Sequence, residues 1–131
     1  MSKDFNGNEI AVPNNALIVT ETNAKGIIVF AGKDFCEIAG YSKEELEGQP
    51  HNMVRHEFMP AAAFKDLWTT VKSGRNWKGI VINKAKNGDY YWVKANVYPS
   101  VFPNGEIKYI SVRIKPSQEE IEDAIKLYPT L

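Results

Sequence analysis

The sequence predicts an α+β domain: a five-stranded antiparallel sheet with short helices and one longer helix packed over one face. Three observations carry this. Two short apolar, β-branched segments flank an Asn-Ala-Lys-Gly turn early in the chain. Three longer segments late in the chain are joined by Asn87-Gly88 and by Pro103-Asn104-Gly105, the first a strong hairpin signal. Between the two groups, Phe64, Leu67, Trp68 and Val71 recur at i, i+3, i+4 and i+7, the stripe of an amphipathic helix. Hairpins imply antiparallel pairing, and the helices must bury their apolar stripes on one face of the sheet.

The elements follow in order. Residues 1–15 are polar, with Gly7, Pro13 and several asparagines, and read as an irregular lead that docks through Phe5, Ile10 and Val12. Ala16–Glu21 and Ile27–Phe30 read as the first hairpin. Phe35, Ile38 and Ala39 stand at helical spacing before Gly40, a left-handed stop. Ser42 with Glu45 forms a capping box that opens a one-turn helix ended by Gly48. Residues 50–58 are short and irregular or helical, and Pro60 suits the first position of the long helix that Gly74 closes. Trp77–Lys86, Asp89–Phe102 and Glu106–Lys115 are the last three strands, with Pro99 marking a bulge or a departure from pairing. In the last of them Ile107, Tyr109, Ser111 and Arg113 share one face. A second capping box, Ser117 with Glu120, opens a terminal helix that Pro129 stops. The expected organisation is a lead at 1–15, one α+β domain at 16–116 and a connector helix at 117–131.

Bulk properties exclude several functions. At 131 residues, 44% hydrophobic and 24% charged, the chain is ordinary for one globular domain. Sixteen basic and sixteen acidic residues cancel, which argues against a general electrostatic grip on nucleic acid. No apolar run reaches the length of a membrane span, and the N-terminus lacks the apolar core of a signal peptide. A single cysteine, Cys36, forms no intrachain disulfide, so a reducing, cytoplasmic setting fits. No nucleophile motif, phosphate loop or metal triad is visible, so an enzyme is not expected. His51 and His56 are five apart with too few further ligands for structural zinc.

Three segments carry a resemblance: GYSKEELEGQPHNMVRH, MPAAAFKDLW and GRNWKGIVINKAKNGDYYWVKANVYP. Together they resemble the PAS sensor domain of bacterial aerotaxis receptors, over roughly residues 16–127. The resemblance implies the PAS fold, a bound FAD whose redox state is sensed, and relay to the signalling region of a chemotaxis receptor, in cis or as a separate chain. It implies a cytoplasmic domain, free or tethered to a membrane through sequence beyond residue 131, with no direct membrane insertion; a homodimer is a further arrangement open to it, and the charge balance argues against nucleic acid as a partner. It carries cofactor contacts onto Arg55 and His56, onto Phe64, Asp66 and Trp68 of the long helix, and onto Trp77 and Asn83 of the third strand. Two positions depart from the pattern. Gly32 stands where the family often has Asn, and Phe58 where it has Asp.

Read on their own chemistry, Trp77, Gly79, Val81 and Asn83 share one strand face. Trp77 offers a stacking surface, Gly79 removes bulk, and Asn83 presents the donor and acceptor that an isoalloxazine edge needs. The alternative is a core tryptophan and a strand-end asparagine. Arg55 suits a phosphate, and His56 could tune charge near a reduced flavin; the alternative is a helix-end cation and a surface histidine. Haem ranks below flavin because neither histidine lies in the long helix. A cysteine–flavin adduct is not expected, since Asn52-Met53-Val54-Arg55 occupies the region where flavin photoreceptors place their reactive cysteine. The competing function is a cofactor-free PAS module for dimerisation or docking, its pocket filled by Trp77, Phe58 and Phe64.

Overall fold

A computed structural model describes residues 5–131. The strands are β1 (Ile18–Thr22), β2 (Ile28–Ala31), β3 (Trp77–Lys84), β4 (Tyr90–Val101) and β5 (Ile107–Ile114). They form one antiparallel sheet in the order β2-β1-β5-β4-β3. The central β1–β5 pairing joins the chain before the helical block to the chain after it, with Thr20 opposite Ser111. Helices α1 (Lys33–Ala39), α2 (Lys43–Leu46) and α3 (Ala61–Lys72), with a 3-10 turn at His51–Val54, connect β2 to β3. Helix α4 (Gln118–Leu127) ends the chain, extended by a 3-10 turn at Tyr128–Thr130.

Local chemistry accounts for these boundaries. Gly40 ends α1 at φ 79°, a left-handed conformation that a β-carbon would strain. Both capping boxes form: each serine accepts the N3 amide, and each N3 glutamate accepts the serine's own amide. Pro60 sits one position earlier than expected, as the extended residue that caps α3 rather than its first turn. Pro99 makes no bulge. The β4–β5 register runs unbroken through it, and it lies beyond the end of β3, so its missing N–H removes no ladder bond. The register shift occurs instead in the first hairpin, at Glu21–Thr22.

The sheet has two different faces. Ile18, Thr20, Val81, Asn83, Tyr91, Val93, Ala95, Tyr109 and Arg113 are buried on the face under α1 and α3. Helix α4 packs on the opposite face, over β3 and β4. There Glu120 pairs with Lys94 at 2.8 Å, and the Tyr128 hydroxyl donates to the Ile80 carbonyl. The free edge of β3 is covered by the chain leading into α3. Arg55 bridges to Asn83, and Met59 Sδ accepts the Ile82 amide at 3.5 Å. An edge strand that would otherwise expose unpaired backbone groups is thereby closed. The lead is docked: Phe5 and Val12 are buried, and Glu9 forms a parallel bridge to Tyr90.

Candidate functional site

A cavity of about 470 Å³ lies between α3, the 3-10 turn at His51–Val54 and the buried face of the sheet. That volume falls in the range of small-molecule pockets. Its apolar wall comes from Phe64, Leu67 and Trp68 of α3, Val54, and Trp77, Val81 and Val97 of the sheet. Helical spacing puts the three α3 residues on one face, and strand alternation does the same for the sheet residues.

Beneath this wall lies a buried polar cluster. Arg113 is 2% exposed. Its Nη2 donates to Thr20 Oγ1 at 2.9 Å, and its Nη1 donates to His51 Nε2 at 3.2 Å. A guanidinium only donates, so His51 must present a lone pair there. His51 keeps some solvent surface, but its ring faces inward, stacked on Phe35 at 6.1 Å. Burial first, and the Arg113 charge second, depress its pKa to about 3, so it is neutral. The Arg113 guanidinium lies 4.9 Å above the Phe35 ring. Burial lowers its pKa to about 10, which leaves it charged at neutral pH. Its Nε is buried without a hydrogen-bond partner, and among the described residues no carboxylate pairs with it.

Asn83 is 4% exposed and faces the cavity from β3, opposite Tyr91 of β4. The Tyr91 hydroxyl is buried and makes no well-formed hydrogen bond, although the Asn83 amide is near enough to favour its ionised form. Burial dominates and pushes its pKa up to about 12, so the phenol stays protonated. Toward solvent, the cavity is rimmed by the exposed cations Arg55, Lys25 and Lys72. Arg55 lies 4.4 Å over the Phe64 ring, and its Nη2 donates to the Met59 carbonyl at 3.3 Å.

Of the residues expected at the site, Arg55, Phe64, Trp68, Trp77, Val81 and Asn83 line the cavity together. His56 does not. Arg55 bridges to Asn83 as a strand residue does, so consecutive side chains point to opposite sides, and His56 enters an aromatic cluster outside the cavity. Asp66 is exposed on α3 and serves the cavity indirectly, its Oδ2 accepting the Trp77 Nε1 proton at 2.9 Å. Phe58 packs against Phe5, Trp92 and Tyr128 rather than filling the pocket. Arg113, His51 and Thr20 were missed. The signal was an arginine alternating with Tyr109 and Ser111 on one strand face, opposite a face of Ile110, Val112 and Ile114.

Gly79 removes bulk, and the ring it makes room for is the indole of Trp77. A β-carbon there would lie 2.3 Å from the Trp77 ring, so the indole itself lies across the glycine. Gly79→Ala is expected to displace the indole, break its bond to Asp66 and destabilise the fold by about 1–3 kcal/mol. Tryptophan fluorescence and a thermal melt measure both effects.

Residues 28–114 match the family described as PAS fold. Over 118 residues, 90% of its length, the chain is 44% identical to the aerotaxis receptor of Escherichia coli (strain K12), covering 23% of that protein. It is 28% identical over 98 residues to the nitrogen fixation regulatory protein of Klebsiella pneumoniae, covering 75% of this chain and 20% of that one. The chain thus spans about a fifth of these relatives. Among solved structures, a light-oxygen-voltage domain from work with a flavin analogue superposes with a TM-score of 0.72 at 17% identity, covering 86% of this chain and 87% of that one. The dark-state light-oxygen-voltage domain of Aureochrome1 superposes with a TM-score of 0.69 at 20% identity, covering 86% and 82%. These likenesses show the fold.

Proposed function

The chain belongs to the PAS-fold family, and from that membership we propose that it is a redox sensor that binds FAD in the cavity beneath α3. The observation that carries the reading is Arg113: a buried cation on the cavity wall with an unpaired Nε and no carboxylate partner among the described residues. Such a group is costly to bury unless something accepts its protons. A flavin's ring edge presents carbonyl and ring-nitrogen acceptors beside an N–H, and the donors of Arg113 and the mixed amide of Asn83 fit that pattern.

Bound flavin supplies reversible redox chemistry and a ring edge whose hydrogen bonding differs between oxidised and reduced forms. The chain's residues do the rest. Trp77, Val81, Leu67 and Phe64 would enclose the ring and exclude water. Neutral His51 holds Arg113 in place without cancelling its charge. Arg55, Lys25 and Lys72 sit where a diphosphate tail would leave the cavity, and arginine's planar fork suits phosphate. β3 would connect a bound ring to α4, because Val81 lines the cavity while the neighbouring Ile80 carbonyl holds Tyr128. We place the relay to a chemotaxis signalling region on that side of the sheet, where Ile114 and Leu127 are exposed. The similarity to an aerotaxis receptor supports this partner.

Protein purified in air should be yellow, absorbing near roughly 450 nm, or take up added FAD in preference to FMN. A colourless protein that takes up neither sinks the reading. Asn83→Ala should keep the fold and weaken FAD binding by about 1–3 kcal/mol, roughly 5- to 150-fold. Unchanged affinity in a titration would remove Asn83 from the site.

A further inference from the structure

The other histidine is buried outside the cavity. His56 is 4% exposed and is enclosed edge-on by Phe5 of the lead at 5.5 Å and by Tyr90 of β4 at 6.2 Å. Phe5 also packs on Phe58 and Tyr90 at 5.0 Å each and on Trp92 at 6.0 Å. The backbone N–H of Phe58 donates to His56 Nδ1 at 3.0 Å. An imidazolium has no lone pair to accept that bond, so it exists only with a neutral ring carrying its proton on Nε2. The Glu57 carboxylate stands 4.0 Å from the same Nδ1 and is shared with Lys84 of β3 at 3.8 Å. The one nitrogen therefore has two neighbours that demand opposite protonation states.

We propose that His56 is an acid-sensitive latch for the N-terminal segment. Neutral, it locks residues 56–58 into the seat on which Phe5 packs. Protonated, it turns Nδ1–H to Glu57, releases the Phe58 amide and loosens Phe5. Among the described residues, the charged and titratable groups facing the ring are Glu57 on its own segment, Lys84 from β3 and Tyr90 from β4. Burial is the largest influence and holds the His56 pKa below its ordinary 6.5, with Glu57 opposing and Lys84 adding to the depression. The docked state thus binds fewer protons than the released one. Docking is complete above about 6.5 and weakens as pH falls from there toward the docked pKa. The latch is separate from the cavity, which Arg55 faces from the other side of the chain.

The test is an NMR titration of the full chain from pH 8 to about pH 5, reading the His56 ring and the Phe5 ring together. Phe5 resonances should move with the His56 midpoint, below 6.5. His56→Asn keeps an acceptor for the amide two residues on but does not titrate; its Phe5 resonances should be flat over the same range. Glu57→Gln should shift the midpoint downward, and it keeps the test usable if His56→Asn does not fold. The proposal is overturned by Phe5 resonances that ignore His56, that titrate equally in His56→Asn, or by a midpoint that Glu57→Gln leaves unmoved or raises.

Discussion

Arg113→Met is expected to leave the ligand-free fold at least as stable as the parent while reducing FAD binding more than tenfold. Two opposed terms decide this. A guanidinium buried to 2% exposure without a carboxylate partner carries a desolvation penalty that Thr20, His51 and the Phe35 ring only partly offset. Methionine matches much of its length and removes that penalty. Replacing buried charges by packed apolar groups ranges from neutral to a gain of about 4 kcal/mol. A ligand acceptor would lose its charged donor, worth about 1.5–3 kcal/mol, or more than tenfold in affinity. A thermal melt of the ligand-free protein and an FAD titration separate the terms. If Arg113 is purely structural, the variant melts several kcal/mol lower, because Thr20 and His51 lose their partner, and flavin affinity per folded molecule does not change. That result would remove Arg113 from the proposed function.

The same residue shows where a sequence stops being readable. Local rules foresaw both capping boxes and the Gly40 stop, because all the atoms concerned lie within a few residues of one another. Strand alternation foresaw that Trp77, Val81 and Asn83 share a face, and α3 periodicity that Phe64 and Trp68 do. Arg113 meets Thr20 across 93 residues through β1–β5 pairing, and His51 across 62 because the His51 amide bonds the Gly26 carbonyl and Pro50 bridges Ile27, which seats the 3-10 turn against the first hairpin. Nothing local marks them. His56 was misplaced for a similar reason. Its side is set by the bridge between Arg55 and Asn83, which a reading of residues 50–58 as irregular or helical could not supply. Phe58 looked like a pocket plug because it replaces a smaller residue of the family pattern. The docked lead receives it instead, through Phe5.

Phe35→Ala is expected to cost about 3–5 kcal/mol, near the top of the range for a single substitution. Phe35 is fully buried, and α1 is only seven residues long, too short to persist without the side chains it inserts into the core. Phe35 is also the floor of the polar cluster, with His51 stacked on it and Arg113 above it. Truncation removes the ring contacts and opens space that water can enter. The depressed pKa of His51, about 3, arises mainly from burial, so it should rise toward the ordinary 6.5 in this variant. The sign of the pH dependence follows. In the parent, keeping His51 neutral contributes stability that is complete above about 6.5 and is lost as pH falls toward 3. In Phe35→Ala that acid loss should shrink. Phe35→Leu preserves most of the volume and should cost less than about 1.5 kcal/mol with His51 still depressed. Chemical denaturation at pH 7.5 and at about pH 5 reads the stability, and an NMR titration reads His51. A Phe35→Ala protein within about 1 kcal/mol of the parent, or one whose His51 stays near 3, would show that the cluster is held from elsewhere.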